Sequence, residues 1–200
     1  MNWLIVLAVA TLLSITATAQ ESEIKEDPTF PKKDEILLVV GQAERALDQY
    51  KRSVDLEATL PSEKNAGNSL STDRNVIEMT AKLLSDLKQN PEAFHGLGGL
   101  LLLSSLDDGS RNAALCSSSA MGDSVQSILA KPDVAAATQM LSVGNACTDA
   151  SAHLFTVSES VQALLVREMK AQQLLNQRVK TMLDKCAVAM RQATPARKNH

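Results

Sequence analysis

Apolar residues recur along most of this chain at the three- and four-residue steps of an amphipathic helix. The clearest example lies between a candidate cap at Asp34 and the stop at Pro61. An α-helix completes a turn every 3.6 residues, so this spacing places the apolar side chains on one face. The positions of this seam are Ile36, Val40, Ala43, Leu47, Tyr50 and Val54. We therefore predict a first helix that buries one face.

Three later segments continue this periodicity between polar breaks. We predict a loop over residues 62–71, a second helix that starts at Thr72 or Asp73, and a third helix over residues 92–106. The third is apolar nearly all round, which is typical of a buried helix. The sequence Asp-Asp-Gly-Ser at 107–110 predicts a turn, followed by a helix to Ala130.

The chain resumes at Val134 after a break at Lys131-Pro132, and Ser158 is the candidate cap of a last long helix. No segment alternates with the period of a β-strand. We therefore predict an all-α fold, a helical bundle of five or six helices with an antiparallel helix hairpin at the break. The last helix carries an apolar stripe at Val161, Leu164, Leu165, Leu175, Val179, Met182, Cys186 and Met190.

The first nineteen residues predict a signal peptide. An apolar run from Trp3 to Leu13 precedes Ala17-Thr18-Ala19, the small-residue pattern that signal peptidase cleaves. The run is short of the roughly 20 residues that span a bilayer. We expect cleavage before Gln20, a secreted or periplasmic location and no membrane span after processing. A retained signal anchor is the alternative, because no Lys or Arg precedes Trp3.

The remaining chain divides by composition. Residues 20–33 form a predicted flexible acidic lead-in, residues 34–192 a single helical-bundle domain, and residues 193–200 a basic disordered tail. This domain is long enough for one hydrophobic core.

Charge is unevenly distributed along a chain of net charge -3. Residues 157–200 hold eight basic and three acidic residues, whereas the preceding part is acidic. One interpretation is that the basic last helix packs across acidic helices, and the other is that it binds an anionic partner. The candidate anionic-partner surface consists of Arg167, Lys170, Arg178, Lys180, Lys185 and Arg191.

Nucleic acid is disfavoured as that partner. Proteins that bind single strands stack bases on aromatic side chains, and aromatic residues make up 2% of this sequence. We expect the partner to be another protein.

The three cysteines are interpreted through the predicted export, because disulfides form in oxidising compartments. Cys116 and Cys147 lie at equal distances along the chain from the Lys131-Pro132 break. Two helices that rise from one turn bring such residues to the same height, so we predict a Cys116–Cys147 disulfide worth roughly 3–4 kcal/mol. Three buried thiols are the alternative if the chain stays in a reducing compartment.

Cys186 is the remaining cysteine. Its place on the apolar stripe beside Val179 and Met182 predicts a buried, inert thiol. The alternative is an intermolecular disulfide that links two last helices in a homodimer.

The stretch from Leu115 to Phe155, which contains Cys116, residues 132–135 and residues 146–149, resembles the second cysteine pair of the plant inhibitors of pectin methylesterase and invertase. It covers about a fifth of the chain. The resemblance implies a secreted helical bundle with a disulfide across a hairpin and an inhibitory function. The chain departs from that family in lacking the N-terminal cysteine pair and in having Ala120 where a tyrosine is usual.

Sequence patterns of catalysis and cofactor binding are few. Neither metal-ligand spacing of histidines nor a phosphate-binding glycine loop occurs, so no metal or cofactor is expected. Residues 95–99 resemble an esterase oxyanion loop and residues 122–125 a Gly-Asp-Ser block that would make Ser124 a nucleophile, but partner motifs for both are absent. We expect a non-enzymatic protein that binds a macromolecule or associates structurally. An enzyme inhibitor is the first alternative and a hydrolase the second.

Overall fold

The computed structural model describes residues 29–60, 66–130 and 132–193. Within these ranges the chain is all-helical, without a β-strand. The predicted leader, its cleavage site before Gln20, residues 20–28 of the predicted lead-in and residues 194–200 of the predicted tail lie outside them. The described part of the chain contains four α-helices, α1 (Lys33–Glu57), α2 (Ala66–Gln89), α3 (Leu97–Ala130) and α4 (Val134–Ala193), and a short 3-10 helix that covers Pro91–Phe94.

The helices form an up-down-up-down bundle, in which each helix packs antiparallel to the next one along the chain and α4 closes the ring against α1. The predicted all-α bundle is therefore confirmed. The apolar seam predicted for α1 faces this core, since Ile36, Val40 and Tyr50 are each 1% exposed. The other helices contribute Leu84, Leu87, Leu102, Leu106, Ala113, Leu154 and Val161.

The predicted number of five or six helices is wrong, because two predicted helix boundaries lie inside continuous helices. The turn predicted at 107–110 lies within α3, where its polar side chains bond to α4. Ser158 Oγ donates to Asp107 Oδ1 at 2.5 Å, and Ser110 Oγ donates to the Ser151 carbonyl at 3.1 Å. Ser158, predicted as a cap, therefore pairs with α3 from the middle of α4.

Two other predicted boundaries moved. Helix α2 begins at Ala66, inside the predicted loop over 62–71. The predicted helix over 92–106 is divided at Gly96, whose φ of 86° ends the 3-10 helix and lets α3 start at Leu97. That segment is also less buried than predicted, since Leu97 is 68% and Leu100 54% exposed.

The hairpin between α3 and α4 forms where it was predicted. Asp133 caps α4 by accepting a hydrogen bond from the Ala136 N–H at 3.0 Å. The length of α4 is the main departure from a regular bundle. It has 60 residues, about 90 Å, whereas α1 has 25. No described helix combines the length and apolarity needed to cross a membrane.

Candidate functional site

Cys116 of α3 and Cys147 of α4 are joined by a disulfide, with their Cα atoms 6.0 Å apart. The pairing agrees with the symmetry of the hairpin. Both residues are buried, Cys116 at 8% and Cys147 at 0% exposure. Val143 and Ala120 surround them in a small apolar cluster, which Leu56 and Leu60 cover. The disulfide therefore fixes the hairpin where it enters the bundle.

Glu57, the last residue of α1, lies beside this disulfide. One of its carboxylate oxygens and the two sulfur atoms are all within 4.8 Å of one another. Its Oε2 atom is buried and has no hydrogen-bond partner among the described residues. Burial raises the pKa of this carboxyl, and the charge of Asp73 raises it further.

A cavity of about 400 Å³ opens beside this carboxyl. Its described lining includes two acidic side chains, Glu57 and Asp73, and no basic one. Asp73 is 5% exposed and accepts a hydrogen bond from the Tyr50 hydroxyl at 2.7 Å. Burial, followed by this hydrogen bond, raises the pKa of Tyr50. The other lining residues are Thr72, Asn112, Leu115, Cys116 and Ser119.

Among the described residues, Glu57 and the two cysteines form a group of three possible metal ligands, because their ligand atoms all lie within 4.8 Å of one another. Metals bind cysteine as the thiolate, and both sulfurs here share a covalent bond to each other. In this oxidised form the group is a disulfide next to a carboxyl, and its available chemistry is that of thiol exchange.

Sequence reasoning missed Glu57 and Asp73 as members of a site, although a signal was present. Glu57 follows Val54 by three residues and so continues the apolar seam of α1. Asp73 precedes Val76 by three in the same way on α2. An acidic residue at a seam position is turned towards the core by the same periodicity that turns its apolar neighbours there.

The basic residues predicted as a common surface are distributed over three environments. Arg167 lies in the bundle and donates to Glu35 of α1 at 2.9 and 2.5 Å. This contact fits the interpretation that the basic helix packs across acidic ones. Lys170 is exposed near the end of the bundle. The remaining four, Arg178, Lys180, Lys185 and Arg191, lie further along α4.

Beyond Ala171, which is 4% exposed, no α4 side chain from Gln172 to Arg191 is buried. We call residues 172–193 the α4 extension; it is about 33 Å long. The apolar stripe predicted for the last helix runs along it, and within residues 29–60, 66–130 and 132–193 no other helix covers it. Leu175 is 46%, Val179 41% and Met182 59% exposed.

Cys186 lies on this stripe and is an exposed free thiol. The predicted buried thiol is therefore wrong. The periodicity placed Cys186 on the correct face, but the helices that cover that face end before this part of α4. The intermolecular disulfide stays a prediction.

The fragments that resemble esterase motifs are not brought together. His95 precedes α3, and Ser124 follows the start of α3 by about 40 Å of helix. Ser124 is 2% exposed and donates to the Met121 carbonyl at 2.7 Å. His95 Nδ1 lies 3.4 Å from Glu168 Oε2.

No protein-family model, curated protein or solved structure matches this chain.

Proposed function

We propose that this chain is an exported, non-enzymatic helical-bundle protein that binds another protein through the α4 extension. The observation that carries the proposal is the continuous apolar stripe that leaves the bundle on α4 and that no other described helix covers. The buried disulfide supports export, because such bonds persist outside the reducing cytosol.

The stripe has the spacing of a coiled-coil seam. Leu175, Val179, Met182, Cys186 and Ala189 follow one another at alternating steps of four and three. Such a seam packs against a second helix with the same repeat. We infer that the occupant is an amphipathic helix of a partner protein.

The charged residues of the α4 extension indicate which charge the partner helix carries. Arg178 and Lys185, seven residues apart, lie along one border of these five positions, and Leu183 and the last stripe residue, Met190, lie along the other. The extension holds four basic residues and one acidic residue, Asp184. A second copy of this chain would bring like charges together. A partner helix with acidic residues beside its apolar seam would instead complement Lys185, so we favour a heterologous partner over a homodimer.

The stripe and its charged border can be tested separately with matched variants. The probe is a 21-residue amphipathic peptide with leucines at the seam and glutamates at its flanks, measured by fluorescence anisotropy against the same peptide with lysine flanks. Met182→Glu disrupts the stripe, and Gln177→Glu places the same charge on the opposite face. Lys185→Glu reverses a border charge, and Lys180→Glu reverses a charge on the back.

We expect the acidic peptide to bind at least ten-fold more tightly than the basic one. Met182→Glu and Lys185→Glu should each weaken binding about ten-fold or more, and their controls should bind like the native chain. Equal binding of the two peptides, or equal effects of stripe and control variants, would contradict the proposal. A dimer through the extension in reducing buffer, detected by sedimentation and lost in Met182→Glu, would show a second copy to be the occupant.

The alternative function is an enzyme inhibitor. It is supported by an all-helical bundle whose hairpin is held by a disulfide, together with the sequence resemblance over residues 115–155. This function predicts a stable complex with a pectin methylesterase or an invertase on a sizing column and loss of that enzyme's activity. If neither enzyme class forms a complex or loses activity, the inhibitor function is contradicted and protein binding through the α4 extension remains the supported function.

A further inference from the structure

We propose that the Cys116–Cys147 disulfide is a thiol-exchange site in which Glu57 transfers the proton, and that its preferred reductants are small cationic thiols. This inference is independent of docking at the α4 extension. It rests on three features that meet at one place: the disulfide, the Glu57 carboxyl with its unpaired oxygen, and the open cavity beside them.

Access decides which sulfur is attacked. Cys116 lines the cavity and is 8% exposed, whereas Cys147 is 0% exposed. An incoming thiol that enters the cavity therefore meets Cys116 first. The sulfur of Cys147 is the leaving group.

The reaction is balanced without a further reagent. The incoming thiol gives its proton to the Glu57 carboxylate as its sulfur attacks Sγ of Cys116. The Cys116–Cys147 bond breaks, and its electron pair leaves on Sγ of Cys147. The Glu57 carboxylic acid then protonates that thiolate. The products are a mixed disulfide at Cys116 and a thiol at Cys147, and Glu57 returns to its starting state.

Glu57 is placed and tuned for both proton transfers. Its oxygen lies within 4.8 Å of both sulfurs, so one carboxyl serves the attacking and the leaving side. Burial and the Asp73 charge raise its pKa, which makes the carboxylate a stronger base than an exposed glutamate. The titratable groups that face it are Asp73 of α2, the Tyr50 hydroxyl of its own helix and the disulfide.

The same two acidic side chains set the preference among thiols. Glu57 and Asp73 make the cavity lining negative, and a thiol that carries an ammonium group is attracted where a carboxylate thiol is repelled. The probes are therefore cysteamine, 2-mercaptoethanol and 3-mercaptopropionate, which differ chiefly in charge. Each rate is normalised to the rate of the same thiol with a small-molecule disulfide, which removes differences in intrinsic reactivity.

The experiment follows reduction by quenching with an alkylating reagent and mass spectrometry. All proteins carry Cys186→Ser, so that the exposed thiol takes no part. Glu57→Gln removes the proton carrier and keeps the side-chain shape. Asp55→Asn is the matched control, because it makes the same chemical change on an exposed residue of the same helix. Urea unfolding of each variant establishes that the fold is intact.

At pH 6 we expect the native site to react at least ten-fold faster than Glu57→Gln, with Asp55→Asn unchanged. The ratio should fall towards one by pH 9, because the free thiolate then attacks without a base. Normalised rates should decrease from cysteamine to 2-mercaptoethanol to 3-mercaptopropionate. The trapped mixed disulfide should be on Cys116, with the alkylating reagent on Cys147.

Four results would overturn the proposal. Equal rates for the native site and Glu57→Gln at pH 6 would show that Glu57 does not transfer the proton. A mixed disulfide on Cys147, or normalised rates that do not depend on thiol charge, would show that the thiol does not reach the disulfide through the cavity. A reduction rate that is independent of thiol concentration and equal to the rate of global unfolding would show that the folded protein has no exchange site.

Discussion

Arg167 of α4 and Glu35 of α1 form a two-point salt bridge, in which both terminal nitrogens of the guanidinium donate to the two carboxylate oxygens at 2.9 and 2.5 Å. The contact joins helices that are far apart in the chain and lies at the end of the bundle where α4 continues beyond the other described helices. Glu35 also accepts a hydrogen bond from the Lys32 N–H at 2.7 Å, so the same carboxylate caps the first turn of α1.

This salt bridge predicts a specific pH dependence of stability. The hydrogen bonds from Arg167, and after them the one from Lys32, lower the pKa of Glu35 from 4.5 to about 2. A carboxyl with a lowered pKa in the folded state stabilises the fold above its unfolded pKa, and that contribution is lost as the pH falls through the window from 4.5 to about 2. Glu35→Gln should therefore unfold at lower urea than the native chain at pH 7, and the difference should shrink across this window. Glu78→Gln, at an exposed position of α2, is the control. A difference that is constant from pH 7 to pH 2 would contradict the assignment.

The buried Tyr50–Asp73 pair predicts an asymmetric cost of mutation. Tyr50→Phe removes the hydroxyl donor and leaves a buried carboxylate without it, which should lower the free energy of unfolding by about 1–3 kcal/mol. Combining Tyr50→Phe with Asp73→Asn also removes the carboxylate charge that has lost its donor. The double variant should therefore regain part of the lost free energy of unfolding. Urea titration of the native chain, the two single variants Tyr50→Phe and Asp73→Asn, and the double variant measures both effects. Additive losses in the double variant would mean that the two groups are not coupled.

Two glycines of α3 predict opposite effects of the same substitution. A Cβ at Gly99 would lie 2.7 Å from Leu165 Cδ2 and 2.9 Å from the Phe94 carbonyl oxygen. Gly99→Ala should therefore destabilise the fold by about 1–3 kcal/mol. A Cβ at Gly122 meets no atom within 4 Å, so Gly122→Ala should stabilise it by about 0.5–1 kcal/mol through helix propensity. Thermal unfolding of both variants gives the signs, and the same sign for both would be inconsistent with this packing.

Periodicity predicted the helices of this protein better than their ends. The seam from Ile36 to Val54 and the stripe that reaches Met190 both lie on helices, because a repeat of 3.6 is a property of local sequence. Residues 107–110 were misinterpreted because Asp, Gly and Ser favour turns but also suit close contact between helices. Only the partner helix, with Ser151 and Ser158 at matching heights, distinguishes the two uses.

The candidate sites were predictable to different degrees. The Cys116–Cys147 pair followed from the symmetry of one hairpin, which the chain itself specifies. The cavity beside it combines residues of α1, α2 and α3, and no local pattern reports which residues of separate helices meet. The prediction that Cys186 is buried was wrong for a related reason. A stripe shows which face of a helix is apolar, but the length of the neighbouring helices decides whether that face is covered.

The continuity of α4 also bears on how its extension would respond to a partner. An isolated helix of this length is marginal in water because forming its first turn is unfavourable. Here the part of α4 that packs in the bundle already provides a helical turn. The α4 extension therefore only has to continue an existing helix. Fraying should then begin at the distal end, and amide protection should rise gradually towards the bundle. A binding helix would meet a preorganised rod, and little ordering entropy would be lost at the encounter.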